Sequence, residues 1–182
     1  AEMRAHRMDH LAAVGRMLAM ADVFVFTLGM TEAWEDIATG RALPTCPGVV
    51  AGRFDPAETR FANYTYPEVL ADLTRLRALL HEANPGIRLL LTVSPVPLTA
   101  SASGQHVLAA TTWSKATLRA VAGDFAAAHG DVDYVPSYEI VTSPAARSAW
   151  YAPNLREVRP EAVARVMATF LSAHGLAEAP AP

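Results

Sequence analysis

One junction constrains this chain more than any other. The apolar run Val23-Phe24-Val25-Phe26-Thr27-Leu28 breaks at Gly29 directly into Met30-Thr31-Glu32-Ala33-Trp34. A continuous β-branched and aromatic run of this kind reads as a strand buried on both faces, the sort found in parallel sheets. Open α/β sheets bind ligands outside the carboxyl ends of their strands. Thr27, Thr31 and Glu32 therefore fall where such a fold keeps its chemistry. The pattern recurs at Leu89-Leu90-Leu91-Thr92-Val93-Ser94-Pro95 and at Val132-Asp133-Tyr134-Val135-Pro136-Ser137-Tyr138-Glu139. Three strand ends carrying hydroxyls or a carboxylate define a candidate site on one rim of a sheet.

The segments between these runs have helical character. Met3, Met8, Leu11, Val14 and Leu18 recur at helical spacing, which predicts an amphipathic helix over 2–20. A second helix opens at Tyr66-Pro67-Glu68 with Thr65 as N-cap, runs to about His81 and is stopped by Asn84-Pro85-Gly86. A third is expected from about His106 to His129, with Gly130 as its C-cap. A last one starts near Pro160 and ends before Gly175. Residues 33–62, punctuated by Gly40, Pro44, Pro47, Gly48, Gly52 and Pro56, read as a long excursion, and residues 137–153 as a loop. The Ala/Pro tail 177–182 reads as disordered. Strands alternating with helices predict βαβ crossovers and a parallel sheet in one domain over residues 1–176.

Composition narrows the partners. At 182 residues the chain can bury a sizeable core, and with 52% hydrophobic and 18% charged residues its balance is that of a globular protein. Its net charge of −3, with 15 Lys and Arg spread along the chain, gives no nucleic-acid footprint. No apolar run approaches the roughly 20 residues of a membrane span. No leader is visible, so the expectation is a soluble, cytoplasmic protein. The lone Cys46 forms no internal disulfide and reads as a passive loop thiol. His6 and His10 share a helix face at metal-binding spacing, but no third ligand accompanies them and no cofactor is implied.

Several blocks together resemble one family. Thr27-Leu28-Gly29-Met30-Thr31-Glu32-Ala33-Trp34 is followed in order by Pro47-Gly48, the Gly52-x-Phe54-Asp55-Pro56 turn and Phe61-x-Asn63. Thr92-Val93-Ser94-Pro95-Val96-Pro97-Leu98, His106-Val107-Leu108, Ser114-Lys115, Leu118-Arg119 and Tyr134-x-Pro136-Ser137-Tyr138-Glu139-Ile140 complete the set. From about Met8 to His174 the chain is similar to the GSCFA-domain family, grouped with SGNH-type esterases and acyltransferases. The resemblance implies an α/β, flavodoxin-like (SGNH-hydrolase-like) three-layer sandwich with a parallel sheet, incomplete at its N-terminus as given. It further implies a serine esterase or O-acyltransferase acting on an acylated small molecule or glycan. The family's Gly-Ser-Cys-Phe-Ala block, which carries the nucleophile, is absent, so the nucleophile is expected outside this chain. Where related enzymes carry Asp-x-x-His, this chain has Asn154-Leu155-Arg156-Glu157. The alternative is an inactive binding or scaffold subunit of a larger assembly. Without a preceding strand, 23–28 would be an apolar edge, and a protein partner or upstream segment is expected to cover it.

His106, at a helix start and matching the family's His-Val-Leu, is the candidate base, with a helix cap as its structural alternative. Glu32 and Glu139 follow strands, and either could orient His106 or bind a substrate hydroxyl. Glu139 could equally be a structural carboxylate beside Arg147 or Lys115. By the resemblance, Thr31 stands where SGNH enzymes place an oxyanion-hole Asn, and its hydroxyl can donate one hydrogen bond. Asn63 could supply an amide donor or close an Asx-turn. Trp34 could stack on a sugar face or simply pack a loop. Ser94 precedes Pro95, which has no N–H for an oxyanion, and reads as structural. Ser114 and Lys115, adjacent on a helix, point in different directions and form no Ser-x-x-Lys pair.

Overall fold

The computed structural model describes residues 2–176, so the expectation for the 177–182 tail lies outside the described residues. The three apolar runs form β1 (Val23–Leu28), β4 (Arg88–Val93) and β5 (Val132–Val135), joined as a parallel sheet in the order β1-β4-β5. The register pairs Val23 with Arg88 through Leu28 with Val93, and Leu89 with Val132 through Thr92 with Val135. The central strand is the most deeply enclosed: Leu89, Leu91 and Val93 are buried to within about 1% exposure.

Alternation along the strands divides the layers. Leu89, Leu91 and Val93 meet Leu73 and Leu80 of α2 (Tyr66–Ala83) and Leu118, Val121 and Phe125 of α3 (Val107–Ala128) in one core. On the other face, Leu90 and Thr92 lie beside Val166, Met167 and Phe170 of α5 (Pro160–Ala173). Helices on both faces of a parallel sheet make the flavodoxin-like α/β sandwich. Among the described residues no helix is long and apolar enough to cross a membrane.

Local chemistry sets the helix ends. The Glu68 carboxylate reaches back to accept from the Thr65 backbone N–H (2.8 Å) and hydroxyl (2.6 Å), which closes the start of α2. Asn84, just past its end, donates through Nδ2 to the carbonyls of Leu18 (3.2 Å) and Ala21 (2.8 Å). This satisfies open carbonyls at the end of α1 (Glu2–Met20) and fastens that helix to the body. α3 ends on His129 rather than on a left-handed Gly130.

The structure corrects four expectations. Val23 and Val25 are 48% and 58% exposed, so β1 is buried on one face only. It sits at the sheet edge, with Val25 beside Val166, Met167 and Phe170 of α5 yet still largely open. In the apolar stripe of α1 only Val14 and Leu18 are partly covered, while Met3, Met8 and Leu11 are exposed, so its amphipathic pattern meets little protein. Within the excursion 33–62, β2 (Glu32–Asp36) and β3 (Thr59–Asn63) pair antiparallel, with Glu35 opposite Arg60. The loop after β5 contains α4 (Ser137–Thr142) and a 3-10 turn at Pro144–Ala146.

One ion pair makes the fold acid-sensitive. Arg77 grips Asp131 with both forks, Nε to Oδ2 at 2.8 Å and Nη2 to Oδ1 at 2.7 Å, and His81 Nε2 lies 3.1 Å from Oδ2. The Arg77 hydrogen bonds hold the Asp131 carboxyl below its ordinary range. Its folded value lies under its unfolded one, so the stability it adds is complete above about pH 4 and is lost as pH falls through the folded value. Asp131→Asn should cost about 1 kcal/mol at pH 7 and little at pH 2. Urea unfolding at the two pH values checks it; an equal loss at both would remove the ion pair as the cause.

Candidate functional site

A cleft of about 760 Å³ opens outside the carboxyl ends of β1 and β4. Gly29 and Met30 follow β1, and Ser94 with residues 96–102 follow β4. The β2–β3 hairpin and its connection supply the opposite wall through Glu32, Trp34, Phe61, Leu43 and Pro44. Backbone bonds fix the rim: Ser94 N–H donates to the Leu28 carbonyl (2.9 Å) and Tyr64 N–H to that of Thr31 (2.9 Å). Side chains hold the loop after β4. Tyr151 O–H donates to the Pro95 carbonyl (2.8 Å), and Leu98 N–H to Thr111 Oγ1 (3.2 Å). Gly48 sits in the left-handed region at φ 80° where the hairpin connection passes close to Phe54, a conformation that favours glycine.

Two of the residues singled out from sequence line this cleft. Glu32 accepts from the Ser101 hydroxyl at 2.6 Å, and Ser101 is also 2.6 Å from Ser103 Oγ. Trp34 is braced edge-on by Phe54 and Phe61, with ring centroids 5.3 and 5.8 Å away. A carboxylate with acceptor capacity to spare, beside a rigid aromatic face, can bind a hydroxylated ligand.

Thr31 and Asn63 come together behind the cleft. Thr31 is 1% exposed; its hydroxyl donates to Asn63 Oδ1 at 2.6 Å and lies 3.0 Å from Ser114 Oγ, while its N–H donates to Ser114 Oγ at 2.6 Å. This knot locks the turn between β1 and β2 against α3. His106 lies outside the lining. It is the N-cap of α3, exposed, and its Nδ1 accepts from Leu108 N–H at 3.3 Å. Glu139, at the start of α4, also stands apart from the lining. It is bound by Arg119 Nε and accepts from Tyr134 O–H at 2.9 Å, and the Arg119 guanidinium stacks 4.2 Å over the Tyr134 ring. The partner of Glu139 is thus Arg119, not the Arg147 or Lys115 considered from sequence. Burial first, then the Glu139 bond, push the Tyr134 phenol far above its usual value.

Lys115, weighed from sequence only as a partner for Ser114 or Glu139, is the residue to which sequence reasoning gave no place in the site. It is 1% exposed yet helps line the cleft, and its Nζ donates to the Gly29 carbonyl at 2.7 Å. Burial pulls its ammonium down to about 8. A signal was there: α3 places Thr111, Thr112, Leu118 and Arg119 three and four residues away, so no carboxylate on its own helix offers Lys115 a partner. Among the described residues no three His, Cys, Asp or Glu side chains gather to hold a metal ion.

A search among curated proteins returns no match. The GSCFA family model matches residues 1–170, which takes in β1 through most of α5 together with the whole lining of the cleft. The chain belongs to the GSCFA family.

Proposed function

We propose that this chain is the cleft-bearing part of an SGNH-type serine esterase or O-acyltransferase that acts on an acylated carbohydrate. The observation that carries the reading is the make-up of the cleft at the carboxyl ends of β1 and β4. One side offers Glu32 and the Trp34 face for sugar hydroxyls and ring; the other offers Val96, Pro97 and Leu98 for an acyl chain. The hydroxyls in the lining are poor nucleophile candidates. Ser94 is followed by proline, and Ser101, hydrogen-bonded to Glu32 and Ser103, has no histidine in the lining to complete a triad. The serine is therefore sought in sequence outside these 182 residues. The reaction would be serine attack, an acyl-enzyme, and transfer to water or an acceptor hydroxyl.

A second reading, a binding or scaffold subunit, is favoured by one observation. Asn154 Oδ1 accepts from the N–H groups of Arg156 and Glu157, both at 3.0 Å. This turn spends its side chain on the local backbone and leaves it no imidazole to orient.

A fluorophosphonate probe on the natural full-length protein separates the two. Labelling with turnover of an acetylated sugar supports the enzyme; an unlabelled protein that still binds saccharides supports the scaffold. If the enzyme reading holds, Glu32→Gln should raise KM about tenfold or more, since a charged acceptor is lost to the substrate hydroxyls. An unchanged KM would remove Glu32 from substrate binding.

A further inference from the structure

We propose that Lys115 is the anion-binding group of the cleft, its buried ammonium seating the carboxylate of an acidic saccharide, so that the ligand is a uronate-type sugar rather than a neutral one. The saccharide part of this inference rests on the proposed function; the carboxylate part rests on the lysine itself.

An ammonium has three N–H donors. One goes to the Gly29 carbonyl at 2.7 Å, which among the described residues is the only hydrogen-bond partner of Lys115 Nζ. The other two are left on a side chain that is 1% exposed and borders the cleft. A buried charge without a counter-ion is costly, and an apolar side chain would fill the same space more cheaply. An arriving anion removes that cost and completes the donor set. The other charged groups of the lining are Glu32 from β2 and Arg156, which is exposed ahead of α5; Cys46 is the remaining titratable one. Lys115 and Arg156 against Glu32 leave the lining one net positive charge, which a monoanion balances. A dianionic phosphate would leave excess negative charge facing Glu32. A uronate offers both functions the lining can take, hydroxyls for Glu32 and a carboxylate for Lys115.

Protonation sets the pH dependence. Burial holds the free ammonium near 8, and a bound carboxylate raises that value. Affinity should be flat below about pH 7.5 and fall about tenfold per pH unit above the free value, because the lysine must then take up a proton to bind.

The test is calorimetric titration of the full-length protein with D-glucuronate, D-glucose and inorganic phosphate, repeated with Lys115→Met and Lys115→Arg. Glucuronate should bind at least tenfold tighter than glucose or phosphate, and Lys115→Met should abolish that preference. Thermal unfolding of Lys115→Met at or above the wild-type temperature would show that the fold survives. Lys115→Arg, which keeps the charge, should retain part of the preference. Equal binding of glucuronate and glucose, tighter binding of phosphate, or an unchanged preference in Lys115→Met would each overturn the proposal. Failure of serine labelling alongside Lys115-dependent glucuronate binding would sink the acyl-transfer reading and leave this one standing.

Discussion

Leu91→Ala should cost about 4 kcal/mol of folding stability and lower the melting temperature by about 8–16 °C. Leu91 is 0% exposed, at the middle of the central strand, paired with Phe26 on one side and Tyr134 on the other. Its side chain enters the core shared with α2 and α3. Strands held on both sides cannot close around a lost isobutyl group, so most of the void persists and the cost falls in the upper range for such truncations. Calorimetry of wild type and variant decides it. A shift under about 3 °C would mean that β4 is not the centre of the packed sheet.

Ser114→Ala should cost about 2 kcal/mol, more than its small change in volume suggests. Ser114 Oγ is the acceptor of the Thr31 N–H at 2.6 Å, in a site where both residues are buried to within about 1% exposure. Removing the hydroxyl strands a buried donor, and that desolvation penalty exceeds the net worth of an average hydrogen bond. The damage should also be local, because the same knot holds Asn63 and the start of the hairpin wall. Amide exchange at Thr31 should speed up by about thirtyfold, the equivalent of 2 kcal/mol. Unchanged protection at Thr31 with a lowered melting temperature would place the effect elsewhere in α3.

The elements read correctly from sequence share one property: their signal is local. The apolar runs of β1, β4 and β5, the capping box that opens α2 and the proline that opens α5 announce themselves within a few residues. What escaped depends on partners far along the chain. β2 and β3 are short and separated by a turn-rich stretch, and they show as a hairpin only through cross-strand pairs such as Glu35 with Arg60 and Trp34 with Phe61. The apolar run of β1 does not itself say that the strand lies at an edge, and the edge position of Val23 and Val25 was legible only from the fold that the resemblance implies. The site divides the same way. Glu32 and Trp34 were legible because they directly follow a strand end. Lys115 was not, because a lysine in a helix is ordinarily a solvated residue. Its neighbour Ser114 is equally enclosed, since that stretch of α3 meets the Thr31 turn with one residue and the cleft with the next.

The strand order carries a consequence for synthesis. Among the described residues β1 pairs with β4 alone, and the pairing of Val23 with Arg88 spans 65 residues (88 − 23). At about 5–20 residues per second, a ribosome needs roughly 3–13 s to make that interval. Throughout it, β4, the strand against which Phe24 and Phe26 pair, has yet to be made, a wait long compared with the microseconds in which a helix such as α1 forms. For those seconds β1 lacks its neighbour in the sheet, and its phenylalanines are the kind of transiently exposed surface that chaperones exist to hold.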